Sequence, residues 1–145
     1  MASTPYTLWG SELSPFALKI SLLCRYAGLP LRFLPAEGGT LENLRAALRV
    51  TAVRRGWRRP LHPALSELDE LPLVPYLIGP RGEVSFDSSA IADWLDERPA
   101  ANHPRLLPAS GATRFAARFL DEYFDEMGLY FAHHNRWVLS ASTND

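Results

Sequence analysis

Two positions in the chain place a serine at the start of an expected helix, where an anion could bind. Ser14-Pro15 has the form of a helix N-cap followed by proline at the first helical position. Asp87-Ser88 precedes a second, shorter apolar stripe of helical period. The first amides of a helix have no partner within it, and the helix dipole is positive there. Both positions therefore predict hydroxyl and N–H donors for an anion such as a carboxylate or a thiolate.

The surrounding sequence supplies the elements that must position these residues. Apolar runs bounded by glycine and proline predict four strands, and apolar residues at helical spacing predict four helices. Pro75 lies inside the third strand, where proline is tolerated only at an edge, a strand start or a bulge. The expected strands cover 5–10, 29–34, 73–78 and 83–86, and the helices cover 15–27, 40–53, 89–97 and 112–138. The order predicts a mixed α/β domain that begins with a parallel β-α-β unit.

Composition and charge exclude several classes of protein. The chain has 145 residues, 47% of them apolar, and 15 basic against 16 acidic side chains give a net charge of −1. A nearly neutral protein is not a general binder of nucleic acid or anionic lipid. The single cysteine, Cys24, cannot form an internal disulfide or a cysteine-only zinc site. We therefore expect a cytoplasmic protein with no nucleic acid partner, no membrane segment and no metal.

Charge is uneven along the chain, although the total nearly cancels. Nine basic and three acidic residues precede Glu67, whereas six basic and thirteen acidic residues follow from there. The densest basic stretch is the Arg-rich loop, residues 54–59, which also contains Trp57. It could contact a phosphate backbone, but a solvated or acid-paired surface loop is the more common use of such a stretch.

Three prolines between residues 99 and 108 predict a linker. We therefore expect a domain over 1–98, a linker over 99–110 and a long helix within 111–145 that begins an incomplete helical domain. That helix, 111–138, carries aromatic residues on more than one side, so something must cover it. The candidates are a second copy of the chain and further helices beyond Asp145.

Three motifs follow one another along the chain: Ser14-Pro15-Phe16-Ala17, Leu73-Val74-Pro75-Tyr76-Leu77 and Phe86-Asp87-Ser88-Ser89-Ala90-Ile91-Ala92-Asp93-Trp94-Leu95. In this order they resemble the thioredoxin-like N-terminal domain of the glutathione transferase family. The resemblance covers roughly residues 5–97, and the Arg-rich insertion-like stretch, residues 46–65, departs from it.

The resemblance implies a glutathione site built from these motifs. A cis bond before Pro75, which costs only about 0.5–1 kcal/mol in X-Pro bonds, would expose the backbone of Val74. The cysteinyl part of glutathione would pair with that backbone as an added strand. Ser88 would donate to the α-carboxylate of the γ-glutamyl group, and Asp87 would accept from its amino group. Phe16 belongs to the same predicted site.

Ser14 is the candidate catalytic residue, because its hydroxyl could stabilise the glutathione thiolate. Relatives of the cysteine type carry cysteine at the position of Ser14, and glutaredoxins often carry a second one at Ala17. The chain therefore resembles the serine type, and a thiol oxidoreductase is disfavoured. Gly10 removes the tyrosine-type alternative. Ser11 is the reserve candidate, and a purely capping role for Ser14 stays open.

The resemblance implies a glutathione transferase that adds the thiolate of its co-substrate glutathione to a small electrophile. It also implies a homodimer through the helix at 111–138. The alternative is a non-catalytic thioredoxin-fold binding or assembly module, which would use that helix or the Arg-rich loop, 54–59, to hold a partner.

Overall fold

Four strands and four α-helices make up the part of the chain that the computed structural model describes, residues 5–59, 75–97 and 105–140. α4 continues as a π-helical segment, His134–Leu139. The chain divides into two compact units, Met1–Leu106 and Leu107–Asp145. The elements are β1 (Tyr6–Gly10), α1 (Pro15–Tyr26), β2 (Leu31–Pro35), α2 (Leu41–Arg54), β3 (Tyr76–Ile78), β4 (Val84–Phe86), α3 (Ser88–Asp96) and α4 (Gly111–His133).

The four strands form one sheet in the order β2-β1-β3-β4. β1 and β2 are parallel and are joined through α1, whereas β3 is antiparallel to both β1 and β4. This is the thioredoxin-like arrangement that the sequence predicted, with a long helix after it. β3 and β4 pair directly and form a β-hairpin.

Helices cover both faces of the sheet and create two apolar clusters. One cluster joins β1 and β3 to α1 and α3, and the other joins β3 and β4 to α2. Neighbouring strand residues point to opposite faces, so Leu77 enters the first cluster while Tyr76 and Ile78 enter the second. The fully buried side chains of the first cluster are Leu8, Ile20, Cys24, Leu77 and Ile91.

Cys24 is fully buried on α1, where it packs as a small apolar side chain. The first buried position of α1 is Ala17 rather than its neighbour Phe16. Phe16 is only partly buried. The small side chain of Ala17 is the one that fits against the sheet.

α2 buries a different face from the one that its leucines suggest. Leu44 and Leu48 are exposed, and the buried positions include Asn43 and Val50. The amide oxygen of Asn43 accepts a hydrogen bond of 2.8 Å from Nε1 of Trp9, so this polar side chain is satisfied below the helix. Small and branched residues beside it let the helix approach the sheet closely.

α4 forms most of the second unit and has no buried residue. It begins where the sequence predicted, and its aromatic side chains are exposed, with Phe115 at 72% and Tyr130 at 76%. Phe115 and Phe119 stack with their ring centroids 6.4 Å apart. Across residues 5–59, 75–97 and 105–140, no helix combines the length and hydropathy needed to cross a bilayer.

Candidate functional site

One end of the sheet gathers the residues that the sequence analysis selected. β1 ends at Gly10 and β4 ends immediately before Asp87. β3 is antiparallel to both strands, and its first residue, Tyr76, lies opposite Trp9 in β1 and Phe86 in β4. The residue before β3, the residue after β1 and the residue after β4 therefore meet at the same end.

Contacts around Gly10 bring the first turn of α1 to this end of the sheet. A Cβ atom at Gly10 would lie 3.4 Å from the Cβ atoms of both Ala17 and Pro75. Pro75 and Ala17 are both buried. A methyl group at Gly10 would therefore be in van der Waals contact with both the helix and the strand proline.

Ser14 is the N-cap of α1, with an extended backbone at φ −80° and ψ 121°. Its Oγ accepts a hydrogen bond of 3.4 Å from the N–H of Ala17. Accepting this bond leaves the hydroxyl hydrogen to be donated elsewhere. The described residues offer no acceptor for that hydrogen. Capping and anion stabilisation are therefore compatible at Ser14.

Ser11 has a different set of partners. Its Oγ accepts from the N–H of Leu13 at 3.3 Å. Hydrogen bonding by the Ser11 side chain, with a smaller contribution from the backbone N–H of Glu37, lowers the pKa of the Glu37 carboxyl. A hydroxyl that serves a carboxylate is less available to a thiolate, because it has a single hydrogen. Ser14 is thus the better placed of the two serines to donate to a thiolate.

Sequence reasoning missed Glu37 at this end of the sheet. β2 is parallel to β1, and the N–H of Ala36 donates to the carbonyl of Gly10 at 2.9 Å. The chain that follows β2 therefore arrives beside Gly10. The sequence did contain a signal for it. Glu37 comes soon after β2, which is parallel to β1, and parallel strands end at the same edge of a sheet.

Asp87, rather than Ser88, is the N-cap of α3. Its Oδ1 accepts from the N–H of Ser89 at 2.9 Å and from that of Ala90 at 3.3 Å. Asp87 has φ 71° and ψ 118°, a conformation that non-glycine residues rarely adopt. Ser88 is therefore the first helical residue, and it is 7% exposed. A strained backbone such as that of Asp87 is common at binding sites.

A positive charge lies one residue from Ser88. Nζ of Lys19, the only lysine in the chain, donates to Oγ of Ser89 at 3.4 Å and links α1 to α3. An ammonium group beside a helix N-terminus strengthens the preference of that site for an anion. Sequence reasoning missed Lys19 because only the packing of α1 on α3 brings it there.

The structure thus places Ser14, Pro75, Asp87 and Ser88 at the same end of the sheet. Phe16 is in the first turn of α1 and is partly buried. The prediction for Val74 lies outside the described residues. Among the residues that are described, no three His, Cys, Asp or Glu side chains come together as a metal site would require.

Comparison with known proteins agrees with this architecture. The family described as "Glutathione S-transferase, N-terminal domain" matches residues 13–98, which is more than half of the chain. Among curated proteins, none matches the sequence significantly.

Solved structures with the same fold include three of varied origin. The Tau class glutathione S-transferase from mango, Mangifera indica, is 20% identical with a TM-score of 0.59, over 86% of this chain and 47% of that one. A glutathione transferase homolog from Burkholderia gl BGR1, with bound glutathione, is 26% identical with a TM-score of 0.54, over 86% and 58%. A glutathione S-transferase from Methylobacterium radiotolerans, in complex with glutathione sulfonate, is 26% identical with a TM-score of 0.53, over 92% and 54%.

This chain spans about half the length of these solved relatives. The family match over residues 13–98 includes Ser14, Pro75, Asp87 and Ser88. The chain belongs to the glutathione S-transferase family.

Proposed function

We propose that the chain binds glutathione at this end of the sheet and acts as a serine-type glutathione transferase. The observation that carries the proposal is the hydroxyl of Ser14, which caps α1 through its oxygen and keeps its hydrogen for another acceptor. Bound glutathione in the Burkholderia relative supports the choice of ligand.

The γ-glutamyl end of glutathione would bind at the start of α3. Its α-carboxylate would accept from Ser88 and from the first amides of the helix, beside the positive charge of Lys19. The Asp87 carboxylate, which caps α3 through Oδ1, would accept from the amino group of the ligand. The cysteinyl backbone would pair beside Pro75, with Val74 as its partner.

Chemistry follows from the state of the glutathione thiol. The thiol loses its proton to water, and the Ser14 hydroxyl donates a hydrogen bond to the resulting thiolate. The sulfur then forms a bond to an electrophilic carbon, and the leaving group departs with its electron pair. Stabilising the thiolate lowers the thiol pKa toward neutrality and raises the fraction of reactive nucleophile.

The remaining partners of this function are a small electrophile and a second copy of the chain. We propose a homodimer through residues 111–138, because the aromatic surface of α4 is exposed along its length. We also propose a cytoplasmic location, which the single buried cysteine supports.

Titration of glutathione into isotope-labelled protein tests the binding step. We expect saturable amide shifts at Ser14 and Ser88, and a large loss of affinity in Ser88→Ala. Ser21→Ala, which removes a partly buried hydroxyl from the middle of α1, serves as the matched control. No shift at millimolar glutathione would exclude the proposed site and would favour a non-catalytic binding module.

A further inference from the structure

A groove lined by arginines lies between α2 and the turn that joins β3 to β4. It consists of two adjoining cavities of about 400 and 410 Å³, which share Arg58, Arg81 and Gly82 in their walls. Arg49 also lines one of them, and Arg59 lines the other. Four guanidinium groups from α2, the loop after it and the strand turn thus line one continuous space.

Among the residues that the structure describes, the positive charge of this groove is largely uncompensated. Glu83 is the one acidic side chain among the described lining residues, and its Oε1 lies 3.6 Å from Nε of Arg81. The other oxygen of Glu83 accepts from the backbone N–H of Arg81 at 2.9 Å. Within the described part of the chain, no carboxylate pairs with Arg49, Arg58 or Arg59. About three positive charges therefore remain for a ligand.

Gly82 lets the two sides of the groove approach each other. It has φ 83°, which favours glycine, and a Cβ atom there would lie 3.3 Å from Nε and 3.4 Å from Cζ of Arg49. The guanidinium of Arg49 on α2 thus rests against the turn that carries Arg81. This convergence of two elements distinguishes the groove from scattered surface arginines.

The groove is separate from the proposed glutathione site. The turn around Gly82 joins the far ends of β3 and β4, whereas Pro75 and Asp87 flank their near ends. The two sites therefore lie at opposite ends of the same strands. Apolar side chains, among them Val53 and Val84, complete the wall of the groove.

We propose that this groove binds a small organic anion that carries two or more phosphate groups. Guanidinium groups hold phosphate oxygens in pairs, and about three uncompensated charges match a diphosphate or triphosphate better than a single carboxylate. The volume is within the range of small-molecule sites, roughly 300–1,000 Å³, and the apolar wall offers a surface for the organic part.

Calorimetric titration at constant ionic strength tests this proposal, with adenosine triphosphate as the probe and adenosine monophosphate as its matched comparison. We expect one triphosphate per chain and binding of the monophosphate that is weaker by about tenfold or more, since each charge-assisted contact adds affinity. Arg49→Gln and Arg58→Gln should each weaken triphosphate binding by about tenfold. A saturating concentration of glutathione should leave the affinity for the triphosphate unchanged.

Arg55→Gln is the matched control, because Arg55 is in the same basic stretch but stacks on Trp57 at 5.1 Å and lines neither cavity. Circular dichroism checks that every variant is folded. The proposal would be overturned if the two nucleotides bound equally well or if neither bound. It would also be overturned if Arg55→Gln lost as much affinity as the groove variants, or if glutathione displaced the triphosphate. Because this readout does not depend on glutathione binding, it can fail or succeed independently of the proposed function.

Discussion

Replacing Ser14 separates the two roles that its hydroxyl can fill. Ser14→Ala removes both the cap bond to the N–H of Ala17 and the hydrogen offered to a thiolate. Ser14→Gly also removes the hydroxyl, but glycine at an N-cap costs only a few tenths of a kcal/mol, whereas alanine costs about 1 kcal/mol. The glycine variant thus loses the chemistry while it keeps most of the stability.

The expected size of the chemical effect follows from the hydrogen bond to the thiolate. Bonds to charged groups contribute about 1.5–3 kcal/mol, and one pKa unit corresponds to about 1.4 kcal/mol. Loss of the Ser14 hydroxyl should therefore raise the pKa of the bound glutathione thiol by about one to two units. The thiolate fraction near neutral pH, and with it the conjugation rate, should fall by about tenfold or more.

The thiol pKa is measured from the ultraviolet absorbance of the bound thiolate against pH, and the rate from turnover of a generic aryl halide over the same range. We expect both profiles to move to higher pH in Ser14→Ala and in Ser14→Gly. Ser11→Ala should leave both profiles in place, because Ser14 and not Ser11 is the N-cap of α1, and Ser11 acts on the Glu37 carboxyl. If the Ser14 variants lose stability but keep the wild-type pH profiles, Ser14 only caps its helix and does not stabilise the thiolate.

Two further predictions concern stability, measured by denaturant unfolding. Val50→Ala should cost about 1–3 kcal/mol because Val50 is 3% exposed, while Leu44→Ala on the same helix should cost under about 0.5 kcal/mol because Leu44 is 56% exposed. Equal losses would contradict the orientation of α2. Burial raises the pKa of the Tyr76 phenol, and the charge of Arg54 opposes this more weakly. The unfolded chain therefore loses the proton first, so stability is full below about pH 10 and falls as pH rises through the folded pKa. Tyr76→Phe should reduce this fall in stability. If the slope of stability against pH is unchanged in the variant, other groups cause the fall.

Local signals were enough to predict most of the elements. Ser14-Pro15 and Asp87-Ser88 are short-range capping patterns, and the turn at 79–82 is marked by glycine and proline. Each depends only on neighbouring residues, so the helix starts lie within one residue of where the sequence predicted them. The order of these elements with the motif around Pro75 then predicted the family and its thioredoxin-like sheet.

Tertiary packing decided what the local pattern left open. The face of α2 depends on the bond between Trp9 and Asn43, whose sequence separation is 34 residues, so the leucine periodicity of the helix was misleading. The choice between Ser11 and Ser14 depends on Glu37, which only the parallel pairing of β1 and β2 brings near.

The sequence by itself therefore determined which residues begin the helices, the strand order along the chain and the resemblance to a family. Only the tertiary structure decided which groups share the end of the sheet, including Lys19 beside Ser89, and that the far end gathers Arg49, Arg58 and Arg81. The reason is physical: caps and turns are set by contacts within a few residues, whereas charge and hydrogen bonding at a site are set by groups that meet only after the chain has folded.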